Sequence, residues 1–377
     1  MIYLDNAATT RLRPEALERM LPYLQNEYGN ASGGYALARS AHGALDTARE
    51  QMRSALHALK TREIFFTSGG TESDNWAMKG VAYANRGKGR HIITSAVEHH
   101  AVLETCAFLE KEGFEVTYLL PDAEGIISAE AVRQAVRPDT ILISIMWANN
   151  EMGAINPIAE IGAFARQKGI CFHTDAVQAA GHLPIDVQQA NVDLLSVSAH
   201  KFHGPKGIGV LYVREGIRLI DFMDGGAQER GKRAGTENVA AIAGMGLAME
   251  LAIQELPQEA DRICALREHM IERILKEIPG AQINGSRSRR LPGNVNVSLP
   301  GVRSEVVLFK MDMAGIACSG GSACTAGAIG RSHVLTAMGL EEARIAEAIR
   351  FSFGRYTTLQ EVDTAVDCLK TITFLKK

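Results

Sequence analysis

The stretch 194–213, LLSVSAHKFHGPKGIGVLYV, decides how the rest of the chain is interpreted. Its two apolar ends predict short buried strands, and the segment between them, which contains Gly and Pro, predicts a turn. Lys201 lies between these strands, next to His200. Burial and neighbouring positive charge lower the pKa of a lysine, which makes its amine available as a nucleophile. We therefore predict that Lys201 forms a Schiff base with an aldehyde cofactor, pyridoxal phosphate.

A single lysine at a strand end more often reaches solvent, so this prediction depends on the preceding segment, 170–181 (ICFHTDAVQAAG). That segment predicts a strand with Asp175 and Gln178 at its carboxyl end, where open α/β sheets bind ligands. Pyridoxal phosphate needs an acid beside its ring nitrogen, because the protonated ring accepts electrons. Asp175 can supply the carboxylate, and Gln178 can hydrogen-bond the ring oxygen.

Composition narrows the class of protein. A chain of 377 residues that is 46% hydrophobic can bury a large core and suggests two or three domains. A net charge of −3 gives no indication of a nucleic-acid or membrane partner. The six cysteines include no C-x-x-C pair, which argues against a zinc ribbon or a disulfide scaffold. Since the start MIYLDNAATT has no signal-peptide pattern, and we find no apolar run near the ~20 residues of a membrane span, we predict a cytoplasmic protein.

Strands alternate with helices from residue 63 to residue 213, which predicts an α/β fold with a mostly parallel sheet. A strand and a glycine turn precede Gly70 and Thr71, where a helix begins, and its unpaired N–H groups suit the cofactor phosphate. The next strand leads to His99 and His100, and an imidazole at this place can stack on the cofactor ring and move protons.

The later part of the chain has a different pattern. Residues 239–255 predict a long helix of small residues that links two domains, and residues 260–278 continue with helical spacing. From about residue 291, the segments NVNVSL and VVLF predict short strands. These patterns indicate a second, smaller α+β domain.

Three motifs, YLDNAATT (3–10), HTDAVQ (173–178) and SAHKFHGPKGIG (198–209), resemble the NifS/IscS-type cysteine desulfurases of the class V aminotransferase family. The resemblance extends to about residue 358. It implies a fold-type I enzyme with a large domain, residues 14–255, built on a mostly parallel seven-stranded sheet. Residues 1–13 and 256–377 then form the smaller domain, which carries a catalytic cysteine loop. The implied reaction converts L-cysteine to L-alanine and passes the sulfur, as a persulfide, to an acceptor protein.

The same resemblance implies individual roles. The pattern E-H-x-A-V selects His99 as the ring-stacking catalytic histidine, and Asn150 contacts the cofactor ring oxygen and the substrate. Arg350 binds the substrate carboxylate, with help from Asn30. Thr236, in R-x-G-T-x-N at 233–238, reaches the cofactor phosphate of the other subunit, which implies a homodimer. The implied cofactor-binding set is Gly70, Thr71, His99, Asn150, Asp175, Gln178, Ser198, His200, Lys201 and Thr236.

The segment 316–328, IACSGGSACTAGA, consists almost entirely of small residues, so we predict that it is exposed and mobile, with a reachable thiolate. Its G-S-A-C-T motif resembles the desulfurase loop and marks Cys324 as the catalytic nucleophile that accepts sulfur. No resident metal is predicted, although Cys324 could transiently ligate an iron–sulfur cluster. Cys318 is either a bystander, which we favour, or a partner of Cys324 on oxidation.

The sequence also contains patterns that resemble other functional motifs. Residues 226–232 fit G-x-x-x-x-G-K, but Arg233 replaces the Ser or Thr that would hold magnesium, which argues against a P-loop. The G-I-G at 207–209 leads into a strand, so a dinucleotide-binding fingerprint is absent. Another class V enzyme, such as a selenocysteine lyase or an aminotransferase, stays open. The presence of Lys201, Asp175, His99 and Cys324 together argues against a non-catalytic assembly subunit. The sulfur acceptor, an iron–sulfur scaffold or a tRNA thiolation enzyme, also stays open.

Overall fold

The computed structural model describes residues 1–320 and 331–374. Within these residues the strands are β1 (Ile2–Tyr3), β2 (Ile64–Thr67), β3 (His91–Ser95), β4 (Glu115–Leu119), β5 (Thr140–Ser144), β6 (Cys171–Asp175), β7 (Leu194–Ser198), β8 (Gly209–Val213), β9 (Gln282–Ile283), β10 (Asn294–Ser298), β11 (Ile316–Ala317), β12 (Ser319–Gly320) and β13 (Ala348–Ser352). The α-helices are α1 (Pro14–Gln25), α2 (Ala36–Ala55), α3 (Gly70–Asn85), α4 (His100–Lys111), α5 (Ala129–Ala135), α6 (Ile158–Lys168), α7 (Val239–Glu277), α8 (Ser304–Met313), α9 (His333–Ala337), α10 (Glu342–Ala346) and α11 (Leu359–Phe374).

The central sheet has the strand order β2-β8-β7-β6-β5-β3-β4. The pairs from β4 through to β7 are parallel, and β8 runs antiparallel to both of its neighbours. The predicted α/β fold with a mostly parallel seven-stranded sheet is therefore confirmed. The loops that follow the parallel strands meet at one edge of this sheet, which is where such sheets place their ligands.

Both faces of the sheet are buried, and neighbouring residues on a strand face opposite sides of it. On β7, Leu194 and Leu195 belong to different apolar clusters, as do Val210 and Leu211 on β8. This alternation follows from the two-residue period of a strand. Because both faces are covered, most of these strands are rich in apolar residues, which made them recognisable from the sequence.

A smaller antiparallel sheet, in the order β12-β13-β10-β9, has its own apolar core. Leu4 packs into this core, and β1 pairs with β11, so the N-terminal segment belongs to it as well. Helix α7 runs unbroken through Pro257 and contributes Met245 to the core of the large sheet and Met270 to that of the small one. The division of the chain at residues 14 and 256 stays a prediction.

By length and composition alone, α7 could also cross a membrane, although the sequence pattern had suggested no such segment. More than half of its most apolar window, 56%, is buried inside the protein. The helix packs against α1 and α2. Its apolar character is thus accounted for by its place in the core.

Two predictions from the later part of the chain are wrong. The segment VVLF, predicted as a strand, lies in helix α8, where Val307 is buried and Phe309 is exposed. A short apolar run fits a strand or a helix equally well, and tertiary packing decides between them.

Residues 316–320, predicted as exposed and mobile, form β11 and β12, and Ile316 is buried. The remainder of that segment, with Cys324, lies outside the described residues.

We predict that Gly209→Ala lowers the free energy of unfolding by about 1–3 kcal/mol, since overpacking forces the backbone to shift. An ideal Cβ at this position lies 2.5 Å from the Val197 carbonyl oxygen and 2.7 Å from the Gly69 Cα. Urea unfolding measures the effect. The control is Gly43→Ala in helix α2, where a Cβ meets nothing within 4 Å; it should stabilise by about 0.5–1 kcal/mol. Equal stabilities for the two variants would contradict the packing argument.

Candidate active site

A cavity of about 490 Å³ lies at the edge of the large sheet where the parallel strands end. Its walls come from loops that follow β2, β3, β5, β6 and β7, from the N-terminal segment and from β13. The structure brings most of the predicted site residues together here: Gly70, Thr71, His99, Asn150, Asp175, Gln178, Ser198, His200, Lys201 and Arg350.

Three predicted residues are not in the wall of this cavity. Asn30 is exposed, and its Oδ1 accepts a hydrogen bond of 2.9 Å from the Ser32 N–H. Thr236 lines a neighbouring cleft of about 150 Å³, which shares Ser68 with the cavity. Since Thr236 was predicted to act in the other subunit's site, its position in a single chain does not decide its role. Cys324 lies outside the described residues.

Lys201 ends a short 3₁₀ turn that directly follows β7. Its Nζ donates hydrogen bonds to the carbonyl oxygens of Ala7 and Ala8, at 2.7 and 2.8 Å. The N-terminal segment therefore forms a wall of the cavity. From the sequence, this segment is notable only for its family resemblance. Contacts made by backbone carbonyls cannot be predicted from side-chain patterns.

Asp175 is the last residue of β6 and is 4% exposed. Its Oδ1 accepts a hydrogen bond of 2.8 Å from the Val177 N–H. Burial raises the pKa of Asp175 to about 6, while this N–H and the positive charge of Lys201 favour the ionised form. Gln178 donates from Nε2 to the Ala7 carbonyl oxygen at 3.0 Å, so it joins the same wall.

His99 caps the start of helix α4, where its Nδ1 accepts a hydrogen bond of 3.1 Å from the Ala101 N–H. Burial, together with the charge of Lys201 and the neighbouring His100, lowers the pKa of His99 to about 4. The imidazole is thus neutral at physiological pH. Since Nδ1 is an acceptor, the single proton lies on Nε2.

The helix start at Gly70 offers unpaired backbone N–H groups to the cavity. A Cβ on Gly70 would lie 2.6 Å from the Val177 Cγ2, so only glycine fits. Glu72, which sequence reasoning treated only as a helix opener, accepts from the Ser68 N–H at 2.9 Å and from the Arg233 guanidinium at 2.8 and 3.1 Å. Although burial opposes it, these bonds hold the pKa of Glu72 below its usual range.

Arg350 comes from the small sheet and is 2% exposed. It donates to the Asn150 carbonyl oxygen at 2.8 Å and to the Asp5 carboxylate at 2.7 Å. Its buried Nε has no hydrogen-bond partner among the described residues. Asp5 was missed by sequence reasoning, since its role depends on a partner 345 residues away.

The residues of the cavity fit pyridoxal phosphate. An amine and a buried carboxylate come from consecutive strands, as the ring of this cofactor requires. The glycine turn before α3 leaves space that a Cβ would fill. Within residues 1–320 and 331–374, no group of three or more His, Cys, Asp or Glu is arranged to hold a metal ion.

Comparison with known proteins decides the family. The model for class-V aminotransferases matches residues 2–365. The chain belongs to the class-V aminotransferase family. The predicted membership is thus confirmed.

Similar members of the class-V family have been described individually. A protein of Clostridium botulinum described as cysteine desulfurase IscS is 50% identical over 373 residues, which are 98% of this chain and 94% of that protein. One of Methanosarcina thermophila, described in the same words, is 51% identical over 371 residues, 98% and 91% of the two chains. A solved structure described as a NifS-like protein has a TM-score of 0.93 at 37% identity, over 99% of both chains.

We predict that Asp175→Asn lowers the affinity of the apo protein for pyridoxal phosphate about tenfold or more, because the ring nitrogen loses its charged partner. The raised pKa of Asp175 means that the stability it contributes is lost as pH rises through about 6. At pH 8 the variant should therefore be as stable as the wild type, or more stable by up to about 3 kcal/mol.

Absorbance titration with the cofactor and urea unfolding of the apo protein measure the two effects. The matched control is Asp122→Asn, at an exposed turn where the side-chain oxygen accepts hydrogen bonds from Glu124 N–H and Ile126 N–H. An Asn can retain both bonds. Unchanged affinity in Asp175→Asn would contradict the assignment.

Proposed function

We propose that this chain is a pyridoxal-phosphate-dependent cysteine desulfurase. In this proposal it removes the sulfur from L-cysteine, releases L-alanine and carries the sulfur as a persulfide on Cys324 to an acceptor protein. The observation that carries the proposal is the convergence of Lys201, Asp175, His99 and Arg350 on one cavity. Full-length relatives described as cysteine desulfurases, at about 50% identity, support it.

Lys201, Asp175, Gln178 and Ser198 would hold the cofactor, with its phosphate at the N–H groups near Thr71. When bound, the cofactor supplies a protonated ring that accepts the electrons released at the substrate Cα. The Asp175 carboxylate would keep the ring nitrogen protonated, because a negative charge favours the protonated form of a neighbouring base.

Other side chains bind the substrate and move protons. Arg350 binds the α-carboxylate of cysteine, since its guanidinium presents several N–H donors in one plane. Asn150 orients the substrate beside it. The Lys201 amine moves the proton at the substrate Cα, and His99, neutral with a proton on Nε2, handles a proton near the substrate thiol.

Cys324 then takes the sulfur. Its thiolate attacks the sulfur of the substrate, so a sulfur–sulfur bond forms as the carbon–sulfur bond breaks, and the carbon takes up protons to become alanine. The carbon is reduced as the sulfur is oxidised, so no outside oxidant is needed. The strand before this segment supports the assignment: Ser319 on β12 pairs in register with Arg350, beside the substrate carboxylate site.

The proposal includes the partners. The acceptor is an iron–sulfur scaffold or a tRNA thiolation enzyme, and a persulfide carrier of this kind works in the cytoplasm, where thiols stay reduced. Thr236 reaches the cofactor phosphate of a second copy, so the working enzyme is a homodimer.

We expect Cys324→Ser to abolish transfer of labelled sulfur from L-cysteine onto the protein while leaving the absorbance of the bound cofactor unchanged. Cys318→Ser, at the residue directly before β12, is the matched control and should retain transfer. Alanine release and protein-bound label are measured together. Retention of labelled persulfide in Cys324→Ser would refute the role of Cys324, whereas transamination without sulfur transfer in the wild type would favour an aminotransferase.

Subunit mixing tests the homodimer. Lys201→Ala and Thr236→Asp subunits should each be inactive alone, the first without its amine and the second by repulsion of the phosphate. After unfolding and refolding as a mixture, about a quarter of the sites should carry both native residues, one from each subunit, and activity should reappear in that proportion. If Thr236 serves its own subunit, no mixture recovers activity.

A further inference from the structure

Asp74, on helix α3, is a buried carboxyl of the cavity wall that the reaction described above does not use. It is 1% exposed, and its Oδ1 has no hydrogen-bond partner among the described residues. A buried polar atom without a partner costs free energy, and the cost is greater when the group is charged. The charge state of Asp74 therefore matters to the site.

Two of the sheet residues near Asp74, Ser196 and His173, are neutral. The Ser196 hydroxyl lowers the pKa of the Asp74 carboxyl. Ser196 Oγ lies 3.0 Å from His173 Nε2, and His173 Nδ1 lies 2.8 Å from Ser144 Oγ. Burial lowers the pKa of His173 to about 3, so its imidazole is uncharged at physiological pH. The 3.6 Å between Asp74 Oδ1 and His173 Nε2 is too long for a hydrogen bond.

Asp175 is in the opposite situation. Its carboxylate accepts the Val177 N–H and feels the positive charge of Lys201. For Asp74, burial raises the pKa well above its ordinary value, and the negative charge of Asp175 raises it further. Glu98, whose own pKa burial raises to about 8, acts in the same direction, and the Ser196 hydroxyl acts against them. Two neighbouring carboxyls in a water-excluded site do not both ionise readily. The favoured place for the proton is Asp74.

We propose that Asp74 is a positioning residue held as a neutral carboxylic acid at the cofactor cavity, so that the Asp74–Asp175 pair carries one negative charge and this charge lies on Asp175. The inference rests on the proposed function, because it is the cofactor ring nitrogen that needs an ionised Asp175. A second charge on Asp74 would drive a proton onto Asp175 and remove that partner.

The first experiment measures whether the folded protein retains a proton that the unfolded chain releases. Apo wild type and Asp74→Asn are unfolded with urea between pH 5 and pH 8. The folded wild type retains a proton that an unfolded aspartic acid, with its ordinary pKa of 3.8, has released. Its unfolding constant should therefore rise about tenfold per pH unit relative to that of the variant. Parallel pH profiles would overturn the proposal. The exposed control, Asp122→Asn, should show the same pH dependence of the unfolding constant as the wild type. If Asp74→Asn does not fold, Asp74→Ala is used in its place.

The second experiment tests which of the two carboxyls, Asp74 or Asp175, carries the proton. Apo Asp74→Asn should bind pyridoxal phosphate within about threefold of the wild type, with the same absorbance spectrum, because Asp175 still supplies the charge. Asp175→Asn should bind much more weakly. Equally weak binding by both variants would overturn the proposal, since Asp74 would then itself be needed as a carboxylate. If the wild type takes up no cofactor, the proposed function fails, while the pH profiles of the apo protein still decide the state of the carboxyl pair.

Discussion

The negative charge of Asp175 is buried at the edge of the large sheet, and several groups around it offset the free-energy cost of burying that charge. Burial raises the pKa of Asp175, which stands at about 6 with all of its neighbours in place. The Val177 N–H and the charge of Lys201 offset part of this cost, and the neutral state that we infer for Asp74 avoids a second charge beside it. A buried carboxylate survives only where such partners are positioned in advance, and here the sheet edge positions them.

Two separate cores supply the side chains that meet at this edge. The large sheet provides Asp175 and Lys201, whereas Arg350 comes from the small sheet and is tied to Asp5 in the N-terminal segment. Helix α7 spans both cores without a break. The relative placement of the cofactor residues and the substrate arginine therefore depends on packing along one helix and on hydrogen bonds across the chain, rather than on any local segment.

Patterns that repeat within a few residues were sufficient for much of the fold and of the candidate site. Fully buried strands such as β7 (LLSVS) are rich in apolar residues, so charged residues at or just after strand ends, such as Asp175 and Lys201, are conspicuous in the sequence. The same reasoning failed for VVLF, because four apolar residues suit a strand or one turn of a helix, and the outcome depends on what packs against them. Asp74 and Asp5 escaped notice because nothing in their own segments shows which groups they face.

By itself, the sequence determined the alternating α/β order, the strand ends that carry chemistry and, through its motifs, the family. These are local or recurring properties, set by backbone periodicity and by turn residues. Only the tertiary structure decided that the carbonyls of Ala7 and Ala8 accept from Lys201, that Arg350 reaches the cavity, and that Asp74 lies buried, its Oδ1 without a hydrogen-bond partner among the described residues. The reason is physical: burial and charge state depend on every group that surrounds a side chain, and those groups are brought together from distant parts of the chain.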